Sequence, residues 1–290
     1  MSTRFRKSVV LAVAAMVVVA ACRTNVEQAA PATGPALRVC ADPNNLPFSN
    51  DRGAGFENKI AELVAAELDT PLEFVWWAQR RGFIRNTLRA GLCDMVVGVP
   101  AELEMTATTR PYYRSAYMFV TRAGGPHPAS LDDPWLKQAL VGVHLIGDDA
   151  ANSPPAHALS ARGIVQNVRG YSIFGNYAEP DPPAQLIRAV ADRQIDVAVA
   201  WGPLAGYFAK QSRVPLRVTP VTPRVHPPYR FEFEIAMGVA RDNHGLLGRL
   251  NTVIEARHDR IAAILQDYGV PFDFAQGKAV DAARGTVVAP

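Results

Sequence analysis

Apolar residues along the chain follow two alternating rhythms, short runs that read as strands and helical spacings between them. Leu37–Ala41 reads as a strand, and the loop over 42–55 that follows is dense in Pro, Asn, Asp and Gly. Phe56, Ile60, Leu63, Val64 and Leu68 then share one helical face. Leu72–Trp77 reads as a second strand. Gly82–Ala90 reads as a short helix with Phe83, Ile84 and Leu88 on one side and Gly91 as its stop. Asp94–Val99 is a third, buried strand. Alternation of this kind predicts parallel α/β layers.

The pattern returns about a hundred residues later. Leu140–Ile146 is a strand, and Asn152-Ser153-Pro154-Pro155 carries the cap residues and prolines of a first helical turn. Ile164–Val168 is a strand candidate. Pro183 opens a helix with Leu186, Ile187 and Val190 inward, and Ile195–Ala200 is a further strand. Asp196 matches Asp94 at an offset of 102, as do Leu186 and Ile84, Val190 and Leu88, and Val199 and Val97. Two similar α/β lobes are the simplest account, with chance likeness between α/β units the alternative. The last third supplies a strand over 234–240 and a long helix built on Leu246, Leu247, Leu250, Val253 and Ile254, then Ile261, Ile264 and Leu265. That is too little for a third lobe, so it completes the first. Lobe I is expected over 36–121 plus 230–274 and lobe II over 122–229. The crossovers would lie near 119–124 and 224–231, with a loose tail over 275–290.

Composition changes the picture mainly at the amino end. Arg4, Arg6 and Lys7 precede an unbroken apolar run, Val9–Ala21, then small residues and Cys22. This is the three-part layout of an export signal over 1–22. A membrane helix would need roughly 20 apolar residues. Val19-Ala20-Ala21-Cys22 fits a lipoprotein cleavage box with Cys22 lipidated, and equally fits ordinary cleavage after small residues. Residues 23–35, rich in Ala, Pro, Thr and Gln, read as a flexible tether. The formal net charge of the 290-residue chain is +3. The three basic residues of the leader account for it, so the mature chain is formally neutral and carries no nucleic-acid footprint. Export places the chain in an oxidising compartment. Of the three cysteines, Cys40 and Cys93 are then expected to form a disulfide, with two buried thiols as the alternative.

The remaining chemistry is sparse. The six histidines show no HExxH or HxxxH spacing. His144, Asp148, Asp149 and His157 could be drawn as a metal site, but helix capping by Asp148 or Asp149 is the simpler reading, and no metal is expected. No Walker or dinucleotide loop and no GxSxG occurs. Glu57, Asp94 and Asp148 could serve a lyase as acid or base, yet Asp94 and Asp196 are explained as strand-start residues in both lobes. No catalytic residue is assigned.

The order of leader, two lobes and two crossovers resembles the type II periplasmic solute-binding proteins. In that α/β fold a ligand sits between lobes at strand carboxyl ends. The cleft would hold Asp42, Asn44 and Phe48, then Trp76 and Trp77, Gly98 and Pro100, and Tyr112 and Tyr113. The second lobe would add Asp148, Asp149, Asn152, Trp201 and Gly202. Amino-acid binders of this fold usually place an Arg a few residues before the Pro-Tyr-Tyr, where this chain has Glu102-Leu103-Glu104. They usually place an Asp after the strand matching 197–200, where it has Trp201-Gly202-Pro203. Both handles look absent, and unpaired polar ligand groups would cost roughly 1–3 kcal/mol each.

Four segments narrow the resemblance. They are Cys40-Ala41-Asp42-Pro43-Asn44-Asn45-Leu46-Pro47-Phe48-Ser49-Asn50, Thr108-Thr109-Arg110-Pro111-Tyr112-Tyr113-Arg114-Ser115, Gly147-Asp148-Asp149 with Pro154–Leu159, and Trp201–Tyr207. Together, over about 37–272, they resemble the solute-binding-like proteins associated with quinoprotein dehydrogenases, the J proteins of MoxJ and XoxJ type. The resemblance implies a periplasmic accessory that helps mature or activate a PQQ-dependent methanol dehydrogenase. The partner would carry the PQQ and a metal, and this chain no cofactor. A receptor for a small non-amino-acid solute, serving an ABC permease, and a small-molecule lyase are the alternatives.

Overall fold

The computed structural model describes residues 35–146, 151–173, 177, 179–272 and, by backbone, 286–288. The leader, Cys22, the tether up to 34, and Asp148 with Asp149 lie outside the described residues. Among the described residues no helix is long and apolar enough to cross a membrane.

The longer strands among the described residues are β1 (Leu37–Ala41), β2 (Leu72–Trp76), β3 (Met95–Pro100), β4 (Tyr113–Arg122), β5 (Val141–Ile146), β6 (Val168–Ser172), β7 (Val197–Trp201), β8 (Leu216–Pro220) and β9 (Glu232–Val239). They form a continuous sheet in the order β6-β5-β7-β4-β9-β3-β1-β2, with β8 also on β4. The lobes keep the parallel pairing that their helical crossovers require, β1 with β2 and β3 on one side, β5 with β6 and β7 on the other. The strands that cross between lobes are antiparallel. Residues 113–116 of β4 pair with β9, and residues 117–121 pair with β7. The switch of partner therefore falls at Ala116–Tyr117. This is the two-lobed type II periplasmic binding protein fold.

The internal repeat is visible in atomic detail. Asp94 N–H donates to the Arg38 carbonyl at 2.8 Å, and its carboxylate accepts Arg38 N–H at 2.9 Å. Asp196 repeats both bonds on Leu140, at 2.9 and 2.7 Å. Each aspartate thus ties the start of one central strand to its parallel neighbour, which explains the matched spacing without any catalytic role. The Arg38 guanidinium adds a contact of 2.7 Å to Asp94.

Helices cover the faces of the sheet: α1 (Phe56–Glu67), α2 (Phe83–Asn86), α3 (Pro154–Ser160), α4 (Gln185–Ala191), α5 (Gly202–Lys210), α6 (His244–Ala256) and α7 (His258–Asp267). Strand alternation sends Val39, Met95 and Val97 into a core with α1, α6 and α7. Cys40 and Val96 face the opposite side, with Phe83, Ile84 and Leu88. Cys40 and Cys93 are bonded there, their Cα atoms 5.6 Å apart.

Three expectations are corrected. The strand candidate over 164–168 is a turn, and β6 begins only at Val168. Gly163, at φ +71, closes α3 in the left-handed region, Ile164 fills the lobe II core, and Val165 is exposed. The long carboxyl-terminal helix breaks at Arg257, whose Nε pairs with Glu67 at 2.7 Å. The tail expected to be loose places a strand, β10 (Thr286–Val288), antiparallel on β8.

Cys40 and Cys93 close a loop of 53 residues. In the chain-entropy account that is worth about 4 kcal/mol, an upper figure. Replacing both by Ala should lower the urea-unfolding free energy by several kcal/mol. An unchanged value would show that the bond contributes nothing.

Candidate functional site

The cavity between the lobes grows out of three local decisions of the chain. The first is the loop over 42–55. Asn58 Oδ1 accepts the N–H groups of Asn50 and Gly55, each at 3.0 Å, and fixes that loop to the first turn of α1. The carbonyls of Pro47 and Phe48 take the first helical N–H groups, from Phe56 and Glu57, at 2.8 and 2.9 Å. A Cβ on Gly55 would sit 2.0 Å from the Phe48 carbonyl oxygen, so only glycine lets loop and helix approach this closely. The result aims Phe48 and Glu57 at the cleft.

The second decision is the crossing pair. Tyr113 and Tyr117 lie four apart on β4, Phe233 and Ile235 two apart on β9, with Ile235 registered on Tyr113. Both strands therefore present these side chains to the cavity. The third is the end of β7. Trp201 leaves the strand as the cap of α5, its ring 5.5 Å from Tyr117 and 5.8 Å from Phe233, both edge to face. Gly202 beneath it must be small: a Cβ there would meet Ser115 Oγ at 2.3 Å.

These elements enclose about 410 Å³. The first lobe adds Asn45, Gln79 and Gly98–Pro100, and the second adds Pro154, Ile173 and Leu204. No Arg, Lys, His or Asp lines the cavity among the described residues. A larger groove of about 680 Å³, around Arg122, Trp135 and Arg193, lies instead at the opposite end of lobe II, by the carboxyl end of β4 and the amino ends of β5 and β7.

Glu57 is the one carboxylic acid among the described residues of the cavity wall. No hydrogen bond reaches its carboxyl among the described residues, and burial alone raises its pKa from 4.5 to about 8. Gly98 makes room for it, since a Cβ there would lie 2.0 Å from Glu57 Oε1. Asn45 donates its amide to Gln79 Oε1 at 2.9 Å while its own Oδ1, buried, has no partner. Burial also raises the phenols of Tyr113 and Tyr117.

Of the residues expected in the cleft, Phe48, Tyr113 and Trp201 line the cavity, with Gly98 and Pro100. Asp42 does not. Its buried carboxylate accepts the N–H groups of Asn44 and Gln79 at 2.8 and 2.7 Å, and the Tyr177 hydroxyl at 3.0 Å. Burial, then Asp42, raises the Tyr177 phenol to about 12. Asn44 donates to the Glu179 carbonyl at 2.9 Å, and Arg80 lies 5.7 Å over the Tyr177 ring. These contacts join the lobes at one rim. Trp76 stacks on Phe74 at 4.9 Å and Trp77 is exposed; neither reaches the cavity, because β2 is the sheet's edge and its ring-bearing residues stay on the lobe surface. Tyr112 is buried and donates to the Val97 carbonyl at 3.1 Å. Asn152 is exposed opposite Leu145, while Pro154 after it faces the cleft. His144 is buried with Nε2 3.3 Å from the Pro183 carbonyl, and His157 stacks on Tyr229. No group of three or more His, Cys, Asp or Glu that could hold a metal occurs among the described residues.

The sequence does not assign Asn45, Gln79, Tyr117 or Phe233 to the cleft, and it offers Glu57 only as a general acid or base. The i, i+4 pair of tyrosines on β4 was the missing signal, hidden because the crossover strand itself went unread.

No family model matches the chain. Protein MoxJ of Paracoccus denitrificans is 32% identical over 247 residues, 81% of this chain and 88% of MoxJ. The chain belongs to the MoxJ family. Crystal structures agree. XoxJ, a periplasmic binding protein of Methylobacterium extorquens AM1, is 40% identical with a TM-score of 0.67, covering 82% of this chain and 99% of XoxJ. MxaJ of Methylophaga aminisulfidivorans MPT is 27% identical with a TM-score of 0.69, over 82% of this chain and 100% of MxaJ.

The raised pKa of Glu57 makes stability pH-dependent. The folded chain holds a proton that the unfolded chain gives up above pH 4.5. That contribution is full below about pH 4.5 and is lost as pH rises through about 8. Glu57→Gln should therefore gain on the native chain between pH 5 and pH 8.5 in urea unfolding. Parallel pH profiles would contradict the assignment.

Proposed function

We propose that this chain is a periplasmic accessory of a PQQ-dependent methanol dehydrogenase, which it binds through the cleft during that enzyme's maturation or activation. Membership of the MoxJ family carries the reading, together with the motifs shared with the J proteins. The cavity supports it from the physical side. An amino-acid carrier needs a fixed cation for the ligand carboxylate, and the described lining supplies none. What it supplies is aromatic surface, with Trp201 braced by two other rings. Rigid aromatic anchors are the residues that dominate protein interfaces.

In this account the lobes hold a segment of the unfinished dehydrogenase, excluding water from it until the enzyme's own site is complete. The chain contributes no cofactor and no chemical step. The PQQ and metal belong to the partner, and the leader delivers both proteins' meeting place, the periplasm.

Immobilised chain should retain the purified dehydrogenase, and Trp201→Ala should weaken retention by about 2 kcal/mol, roughly thirtyfold. Retention equal to the native chain's would remove Trp201 from the interface. No retention by either would overturn the accessory role.

A further inference from the structure

The cleft holds one carboxyl and, among its described lining residues, no cation. Glu57 offers a carboxyl that no hydrogen bond reaches among the described residues. Around this carboxyl stand the rings of Phe48, Tyr113, Tyr117 and Trp201. Aromatic faces carry negative quadrupole charge and attract cations. No side chain of this cavity that is described brings a positive charge to answer them.

An unpaired carboxyl and an aromatic wall have a common complement. It is a group that donates several hydrogen bonds, carries positive charge and sits on an apolar body. We propose that the cleft binds an alkylammonium group, seated on the Glu57 carboxyl against the aromatic rings. The inference rests on the reading of this cleft as the chain's binding site, and adds the chemistry of what fills it. The group has two sources, a free primary amine or a lysine side chain on the partner's bound segment. A neutral alcohol of the same shape offers one donor and no charge, and an amino acid adds a carboxylate that the lining cannot pair.

Glu57 is protonated at neutral pH when the cavity is empty. An arriving ammonium makes the carboxylate the favoured form, so binding expels the carboxyl proton to solvent. The site thereby changes from a neutral cavity to a paired buried charge.

The test is calorimetry at pH 6.5 with the full mature chain and three probes: 2-phenylethylammonium, N-acetyl-lysine methylamide and the neutral near-isostere 2-phenylethanol. At least one ammonium probe should bind about tenfold or more tighter than the alcohol. Titrations in two buffers of different ionisation enthalpy should show release of close to one proton. Glu57→Gln, checked for folding by circular dichroism, should abolish both the preference and the proton release. Preference for 2-phenylethylammonium alone supports a free amine as occupant, and preference for the lysine derivative supports a partner side chain. Equal binding of alcohol and amines, no binding of any probe, or an ammonium preference that survives Glu57→Gln would overturn the inference. Since wild-type binding and proton release need no variant, misfolding of Glu57→Gln would not protect it. Retention of the dehydrogenase without any ammonium preference would sink this inference and leave the accessory role standing. The reverse result would do the opposite.

Discussion

The antiparallel seam between β4 and β9 is the constraint on which the site depends. It is the place where the chain leaves one lobe and returns from the other, and it supplies the cavity floor. On β4 the backbone pairs with β9 up to Ala116 and with β7 from Tyr117 onward. One strand therefore belongs to both halves of the sheet, and the side chains at its junction look into the space between them. Tyr113, Tyr117, Phe233 and Ile235 are in the cavity because register and pleat put them there. A slip of one residue along this seam would turn all four away. The walls are secondary to it. Trp201 is braced on Tyr117 and Phe233, and the loop carrying Phe48 packs on Phe56, which itself touches Tyr113.

Charge is kept out of this space with care. The described residues hold many ion pairs, yet these sit at the rims and outer faces, as with Arg114 between Glu232 and Glu234 or Arg230 on Glu102. Inside stands one carboxyl, held neutral near pH 7 by the absence of any compensating donor. A half-buried acid without a partner costs stability, and an amide or an apolar residue in place of Glu57 would avoid that cost. Gly98 leaves room for that carboxyl.

Much of the fold was legible because the two lobes repeat. Asp94 and Asp196 mark the same joint twice, and the offset of 102 residues between them predicted the pairing of central strands that the hydrogen bonds display. The disulfide was legible from compartment and count. The crossover strand was not. Tyr113–Arg122 alternates imperfectly because its two halves face different partners, so no single period of two runs along it. Missing β4 meant missing Tyr117. Trp76 and Trp77 were placed in the cleft by strand-end reasoning, which holds for central strands; β2 lies at the edge, and its rings remain on the lobe surface. Asp42 looked like a ligand group from its loop, but three hydrogen bonds commit it to holding that loop together. Sequence shows which residues are polar, and only the fold shows which polar groups are already satisfied.

A cleft lined with rings, with no cation for a zwitterion's carboxylate among its described residues, in a member of the MoxJ family, is the basis for reading this chain as a companion to a periplasmic quinoprotein. Hydrogen–deuterium exchange addresses that claim most directly. Amides of the chain would be followed alone and with the purified methanol dehydrogenase. The account predicts slowed exchange at the cavity wall, over residues 44–57, 98–102 and 201–204, with the amino ends of β5 and β7 unaffected. Protection confined to the groove around Arg122 and Trp135, or no protection anywhere, would contradict it.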